Sequence, residues 1–226
     1  MQPIVASQGE PSRLAQEGGL SVTVREGRQG DVSEIVQLHM TCQPLFLWAD
    51  PGSAFLRLFY ALLLREPQGT LLVSECNGGL AGFVAGVSDL ARIQEKLDPG
   101  RLAFLAATTN CLLTHPMRLR SLFQDFHRAN HFRRDFVDAS KAGQELITVA
   151  VQPRCRGQGH GKALLHALIE RARRDRVVQL RASIDSSDQG MSYFFRKFGF
   201  IPIRTFRVFG GRWRDEYLLR ISERSN

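Results

Sequence analysis

The sequence has no long apolar run. No stretch approaches the roughly 20 residues needed to cross a bilayer, and Met1 to Glu10 lack both the basic and the apolar segments of a secretion signal. A membrane span is therefore not expected, and a cytoplasmic location is. Cysteine is scarce: Cys42, Cys76, Cys111 and Cys155 lie far apart with no C-x-x-C spacing, and a chain of this size needs no disulfide framework, so all four are read as reduced thiols. Internal repeats are absent. Also absent is the low hydrophobicity of disordered chains: 43% of residues are hydrophobic and 23% charged, the balance of an ordinary globular protein. Acidic residues are outnumbered, 22 against 30 basic ones, for a net charge of +8. That excess favours anionic partners, but no aromatic platform interleaves the arginines, so a nucleic-acid partner is not expected. At 226 residues the length suits a single α/β domain with an insertion.

Residues 1–19 are rich in Gln, Gly, Ser, Pro and Glu, without apolar period, and read as a mobile tail. The domain then covers 20–226. Leu20 to Arg25 alternates as a strand; Asp31, with Glu34 three residues on, reads as the capping box of a helix carrying Ile35, Val36, Leu38 and His39 on one stripe. Ser53 to Arg65 is a mostly buried helix ending before Pro67. Thr70 to Cys76 and Leu80 to Val87 form a hairpin through Asn77, Gly78 and Gly79. Glu145 to Val151 is a strand covered on both faces. Lys162 to Arg174 is an amphipathic helix with Leu164, Leu165, Leu168, Ile169 and Ala172 inward, followed by a strand over Val178 to Ile184. A helix at Gln189 to Lys197 and strands at Ile201 to Phe209 and Asp215 to Ile221 complete the order.

An insertion, 89–143, is too long for a plain loop. Leu102 to Leu113 and Leu119 to Phe126 look helical around Pro116. Arg118, Arg120, Arg128, Arg133 and Arg134 make its second half basic, either as a solvated face or for recognition of an anionic acceptor. His127 and His131 have the i, i+4 spacing of a metal pair, yet no carboxylate or cysteine completes a site, so a surface or acceptor contact is expected and no metal.

The most informative segment is Arg156-Gly157-Gln158-Gly159-His160-Gly161. A P-loop fails, because Arg156 stands where its first glycine belongs and Ala163 follows Gly161-Lys162. The dinucleotide fingerprint fails too, because Lys162 occupies its last glycine. What remains is R-x-x-G-x-G between a buried strand and a helix. There unpaired backbone N–H groups and the positive end of the helix dipole suit a pyrophosphate, with Arg156 and Lys162 adding charge.

The run V-x-P-x-x-R-G-x-G-x-G-K-A-L-L, from Val151 to Leu165, closely resembles the acyl-CoA signature of the GNAT superfamily of N-acetyltransferases. Phe194-Phe195-Arg196-Lys197-Phe198-Gly199-Phe200 is similar to that family's F-Y-x-K-x-G-F segment. The resemblance implies a mixed α/β fold, a mostly antiparallel twisted sheet flanked by helices. It implies acetyl-CoA as cosubstrate, held by Val149, Ala150, Val151, Arg156, Gly157, Gln158, Gly159, His160, Gly161, Lys162, Asp188, Phe194, Phe195 and Lys197. It further implies that N–H groups near Val149 to Val151, where the strand bulges, polarise the thioester carbonyl, and that the pantetheine arm pairs along that strand.

Glu145 matches the family's strand-borne general base; a solvated carboxylate at a strand start is the other reading. The family's tyrosine acid is replaced by Phe195. Tyr193 lies about 200° round the helix from it, whereas Ser192 is closer to its face. Since a thiol with a pKa near 8.5 leaves tolerably as thiolate, acetyl transfer without a tyrosine acid is expected. The acceptor this implies is the primary amine of a small, anionic molecule resembling an amino sugar. The alternatives are a protein N-terminus or lysine, and an acyl-CoA-binding sensor without turnover.

Overall fold

The computed structural model describes residues 22–42, 53–96, 143–207 and 211–221. The tail, the two helices expected in the insertion, His127 and His131 with their arginines, and Cys111 lie outside the described residues. The strands are β1 (Val24–Glu26), β2 (Gly69–Cys76), β3 (Gly79–Val87), β4 (Gly143–Val151), β5 (Gln179–Asp185), β6 (Ile201–Arg207) and β7 (Trp213–Arg220). The helices are α1 (Val32–Cys42), α2 (Ser53–Leu63), α3 (Leu90–Lys96), α4 (His160–Arg174) and α5 (Gln189–Lys197). The strands form one twisted sheet in the order β1-β2-β3-β4-β5-β7-β6. Only β4 and β5 run parallel, joined through α4; every other neighbouring pair is antiparallel. None of the described helices is long and apolar enough to cross a membrane.

The hairpin between β2 and β3 forms because Asn77 and Gly78 adopt φ of 51° and 78°, the double left-handed turn that matches strand twist. Before α1, a short 3-10 turn (Gln29–Asp31) changes the expected cap. Asp31 accepts the N–H of Arg28 at 2.7 Å, while Glu34 reaches across to accept the N–H of Leu80 at 3.3 Å, so Glu34 belongs to no capping box. The turn displaces the helix start to Val32 and moves the acidic pair out of register with it.

Two cores sit on opposite faces of the sheet. On one, α1, α2 and Ile93 of α3 cover Leu71, Val73, Phe83, Ala85, Val87 and Ala150. On the other, α4 and α5 cover Leu72, Val84, Leu146, Leu180, Ala182, Ile184 and Tyr217. The stripe expected on α4 is all buried. Each such leucine contributes roughly 1.5–3 kcal/mol by leaving water, which fixes the start of α4 against the end of β4.

The first core carries one titrating pair. His39 of α1, 1% exposed, places Nδ1 2.6 Å from the hydroxyl of Tyr60 on α2. Burial pushes the Tyr60 phenol up and lowers the imidazole from 6.5 to about 4, so a neutral ring shares this hydrogen bond with the phenol, its tautomer setting which of the two donates. The unfolded chain therefore binds the extra proton first as the pH falls. Stability from this group is fully present above pH 6.5 and declines as the pH drops toward 4. Between neutrality and a pH of about 5 the expected loss is about 2 kcal/mol. Urea midpoints across that range check this. His39→Gln should flatten the decline, and an unchanged slope in that variant would refute the assignment.

Candidate functional site

The sheet is interrupted where β4 meets β5. Their parallel ladder runs from Gly143 opposite Gln179 to Leu146 opposite Ala182 and stops there, although the strands continue to Val151 and Asp185. The break coincides with a bulge. Toward β3, Thr148 pairs with Ala85 and Leu146 with Gly86, so Ile147 is the extra residue. A bulge bends its strand and raises the local twist, which turns β4 away from β5. The bulge expected near Val149 to Val151 is thus found upstream. Those three residues pair regularly with Val84, Phe83 and Gly82, because register is set by the partner strand rather than by the β-branched run itself.

At the far end of β4 the chain makes a 3-10 turn (Pro153–Cys155) and enters the glycine loop. Gly159 is the N-cap of α4 at φ 89°, with no side-chain cap. The first residue to close a helical bond is Ala163, whose N–H reaches the carbonyl of Gly159 at 2.9 Å. The N–H groups of His160, Gly161 and Lys162 precede it, and helix geometry gives them no acceptor. Serine or aspartate at the cap would supply an oxygen; glycine supplies none, so these donors and the positive end of the helix have no side-chain cap. Arg156 and Lys162 flank them, both exposed; the Nε of Arg156 lies 3.4 Å from the carbonyl of Val151. Gln158 points back to the carbonyl of Arg154 at 3.0 Å. His160 differs from the rest of the loop: its side chain is 4% exposed and turned inward, so its backbone alone lies at the mouth of the loop.

Helix α5 closes the other side. A Cβ on Gly161 would stand 3.6 Å from Cζ of Phe194, which brings Phe194 to the loop. Phe195 is buried, 5.0 Å from the ring of Phe200 and 5.8 Å from that of Tyr217 between centroids; it is a core residue. Asp188 caps α5 by accepting the N–H of Met191 at 2.9 Å, so its carboxylate is committed to the helix. Lys197 sets its ammonium 4.5 Å above the exposed ring of Tyr193. Ser192 pairs its hydroxyl with that of Tyr217 at 2.7 Å. Tyr217 is a residue the sequence reading missed: its only signal was an aromatic in a β-like run.

Glu145 lies on the other face. It stands opposite Arg181 of β5 and alternates with Gln144 and Leu146, which face α4. The same face of β5 and β7 carries Arg181, Ser183, Arg214 and Glu216, by their register. Arg214 is 6% exposed and donates to the carbonyl of Ser183. Burial pushes its guanidinium below the ordinary value and Arg212 adds to this, while Asp185 and Glu145 oppose it. Glu216 is paired with Arg204. This polar tract also escaped the sequence reading, because alternating charges in a strand look like a solvated face. Glu145 and Ser192 therefore stand on opposite sides of the sheet, with the β4–β5 gap between them.

A covalent thiol mechanism finds no support at Cys155: it is buried, and burial pushes its thiol up, which disfavours the nucleophilic thiolate.

The sequence pattern of the Acetyltransferase (GNAT) family matches residues 32–200. No curated protein matches the chain in sequence. Among solved structures, an N-acetyltransferase from Staphylococcus aureus superposes with a TM-score of 0.60 at 17% identity, covering 90% of this chain and 100% of that one. The ribosomal-protein-alanine N-acetyltransferase of Brucella melitensis gives 0.58 at 18%, covering 88% and 99%. The protein yncA from Salmonella typhimurium, solved with its cofactor acetyl-CoA, gives 0.56 at 20%, covering 92% and 98%. At these identities the likeness is one of fold.

Proposed function

The chain belongs to the acetyltransferase (GNAT) family, and on that premise we propose that it transfers an acetyl group from acetyl-CoA to the primary amine of a small, anionic acceptor. One observation carries this reading: an uncapped helix start opens onto a gap between two parallel strands, and a carboxylate stands at the closed end of that gap. The N–H groups of the loop Gly157 to Lys162, with Arg156 and Lys162, hold the pyrophosphate. The edge of β4 that faces β5, from Val151 back toward the bulge, pairs with the amide-bearing pantetheine arm as an added strand would. A backbone N–H of β4 beyond the bulge polarises the thioester carbonyl. The cosubstrate supplies the activated acyl group. Glu145, directly or through a water, takes the proton of the incoming amine.

From the opposite face, the paired hydroxyls of Ser192 and Tyr217 stand near Phe195, whose ring lies 5.8 Å from that of Tyr217, and are the candidate source of the proton that the family's tyrosine supplies in the resemblance. Arg181 and Arg214, beside Glu145, favour an anionic acceptor. A protein N-terminus remains the second acceptor class, since one of the fold neighbours is named for acting on ribosomal-protein alanine.

Release of free thiol from acetyl-CoA, measured with a panel of amino sugars, nucleotide-linked amino sugars and N-terminal peptides, tests the proposal. Turnover with a phosphorylated or carboxylated amine is expected, and turnover only with peptides would move the acceptor to the second class. Tight acetyl-CoA binding with no turnover on any amine would make the protein a sensor. Phe195→Tyr discriminates further. Its hydroxyl would enter an apolar cluster, so the rate should change by no more than several-fold. A gain of several orders of magnitude would identify the native chain as a degenerate enzyme.

A further inference from the structure

Behind the phosphate loop, three side chains that acetyl transfer does not use converge. Cys76 ends β2, Cys155 closes the 3-10 turn and His160 opens α4. Their Sγ atoms and an imidazole nitrogen lie within 4.8 Å of one another. Cys155 and His160 are each 4% exposed, and Cys76 is half-buried. Both cysteines are free thiols. The Nδ1 of His160 is enclosed and makes no hydrogen bond. A buried polar nitrogen without a partner costs on the order of 1–3 kcal/mol, and the ring that carries it stands against the two thiols.

We propose that Cys76, Cys155 and His160 bind a zinc-class divalent cation. Two thiolates and an imidazole form a set suited to Zn2+ and unsuited to Mg2+ or Ca2+, which take oxygen ligands. Around a tetrahedral zinc, with bonds of about 2.3 Å to sulfur and 2.0–2.1 Å to nitrogen, ligand atoms sit about 3.5–3.8 Å apart. The observed atoms lie within 4.8 Å of one another, so reaching that spacing shortens each separation by about 1 Å at most. Binding releases the two thiol protons, forms two Zn–S bonds and one Zn–N bond, and leaves a fourth position for water. A Cys76–Cys155 disulfide is the competing fate of the thiols, but it requires an oxidant and leaves the His160 nitrogen without a partner. The cation would tie the tip of the β2–β3 hairpin to both ends of the phosphate loop. That role is structural and independent of which amine is acetylated, or whether any is.

Metal analysis of the full chain, purified and reloaded with Zn2+ under reducing conditions, should find one equivalent per chain. Reloading with Co2+ should produce sulfur-to-cobalt charge-transfer absorption and the intense visible bands of a tetrahedral site. Cys76→Ser, Cys155→Ser and His160→Gln should each lose the equivalent, and Cys42→Ser should keep it. The cobalt spectrum of the unaltered chain decides the matter even where a variant fails to fold. Substoichiometric uptake, a spectrum without sulfur ligation, or full retention in His160→Gln would each overturn the proposal. So would a Cys76–Cys155 disulfide that re-forms under the reducing conditions.

Discussion

Gly159→Asp should weaken acetyl-CoA binding about a hundredfold and leave the fold intact. Two effects act together. The new carboxylate supplies the cap oxygen that α4 lacks, so the N–H groups of its first turn acquire an internal acceptor, and its charge repels the pyrophosphate. Losing charge-assisted hydrogen bonds costs roughly 1.5–3 kcal/mol, and every 1.4 kcal/mol is about tenfold in affinity. The φ of 89° at this position is strained for any residue with a side chain, and aspartate and asparagine, which visit the left-handed region most readily, carry the smallest share of that strain. Calorimetric titration with acetyl-CoA and with CoA should show the same loss, because both carry the pyrophosphate. Unchanged affinity with intact helical circular dichroism would mean that the anion sits elsewhere.

Glu145→Gln is expected to lower kcat/KM for the acceptor by about a hundredfold or more, within the usual range for a lost general base, while acetyl-CoA affinity changes little. Glutamine keeps the size and polarity of the side chain and removes the basic oxygen and the charge. The acidic limb of the rate–pH profile should vanish in the variant. A loss under threefold with an unaltered profile would reduce Glu145 to a charge that favours the ionised form of the buried Arg214.

What could be read from the sequence was whatever a few neighbouring residues decide. The Asn77-Gly78 turn, the inward stripe of α4, the helix from Gln189 to Lys197 and the strand-loop-helix passage at Val151 to Lys162 all follow from local pattern, and all stand in the structure. Features that depend on pairing across the sheet could not be read. The bulge at Ile147 arises from the register against β3, so the β-branched run from Leu146 to Val151 gave no sign of where the extra residue would fall. Tyr217 meets Ser192 only because β7 lies next to β5. Cys76 and Cys155, distant in sequence, become neighbours through two antiparallel turns of the sheet. The cap of α1 shifted for a related reason, since Glu34 had a better partner in Leu80, on a strand packed against it.

The ladder that stops at Leu146 and Ala182 gives the folded protein an internal strand edge, and exposed edges invite pairing with other chains. On the proposed reading, in which acetyl-CoA pairs with that edge, the cosubstrate would be a folding ligand as well as a reactant. At a hundredfold excess over its dissociation constant it would add about 2.7 kcal/mol of stability. Amide hydrogens of β4 beyond the bulge should then exchange with solvent much more slowly when acetyl-CoA is present. A cell short of acetyl-CoA would hold not only less active protein but less durable protein, so that abundance as well as rate would follow the metabolic supply.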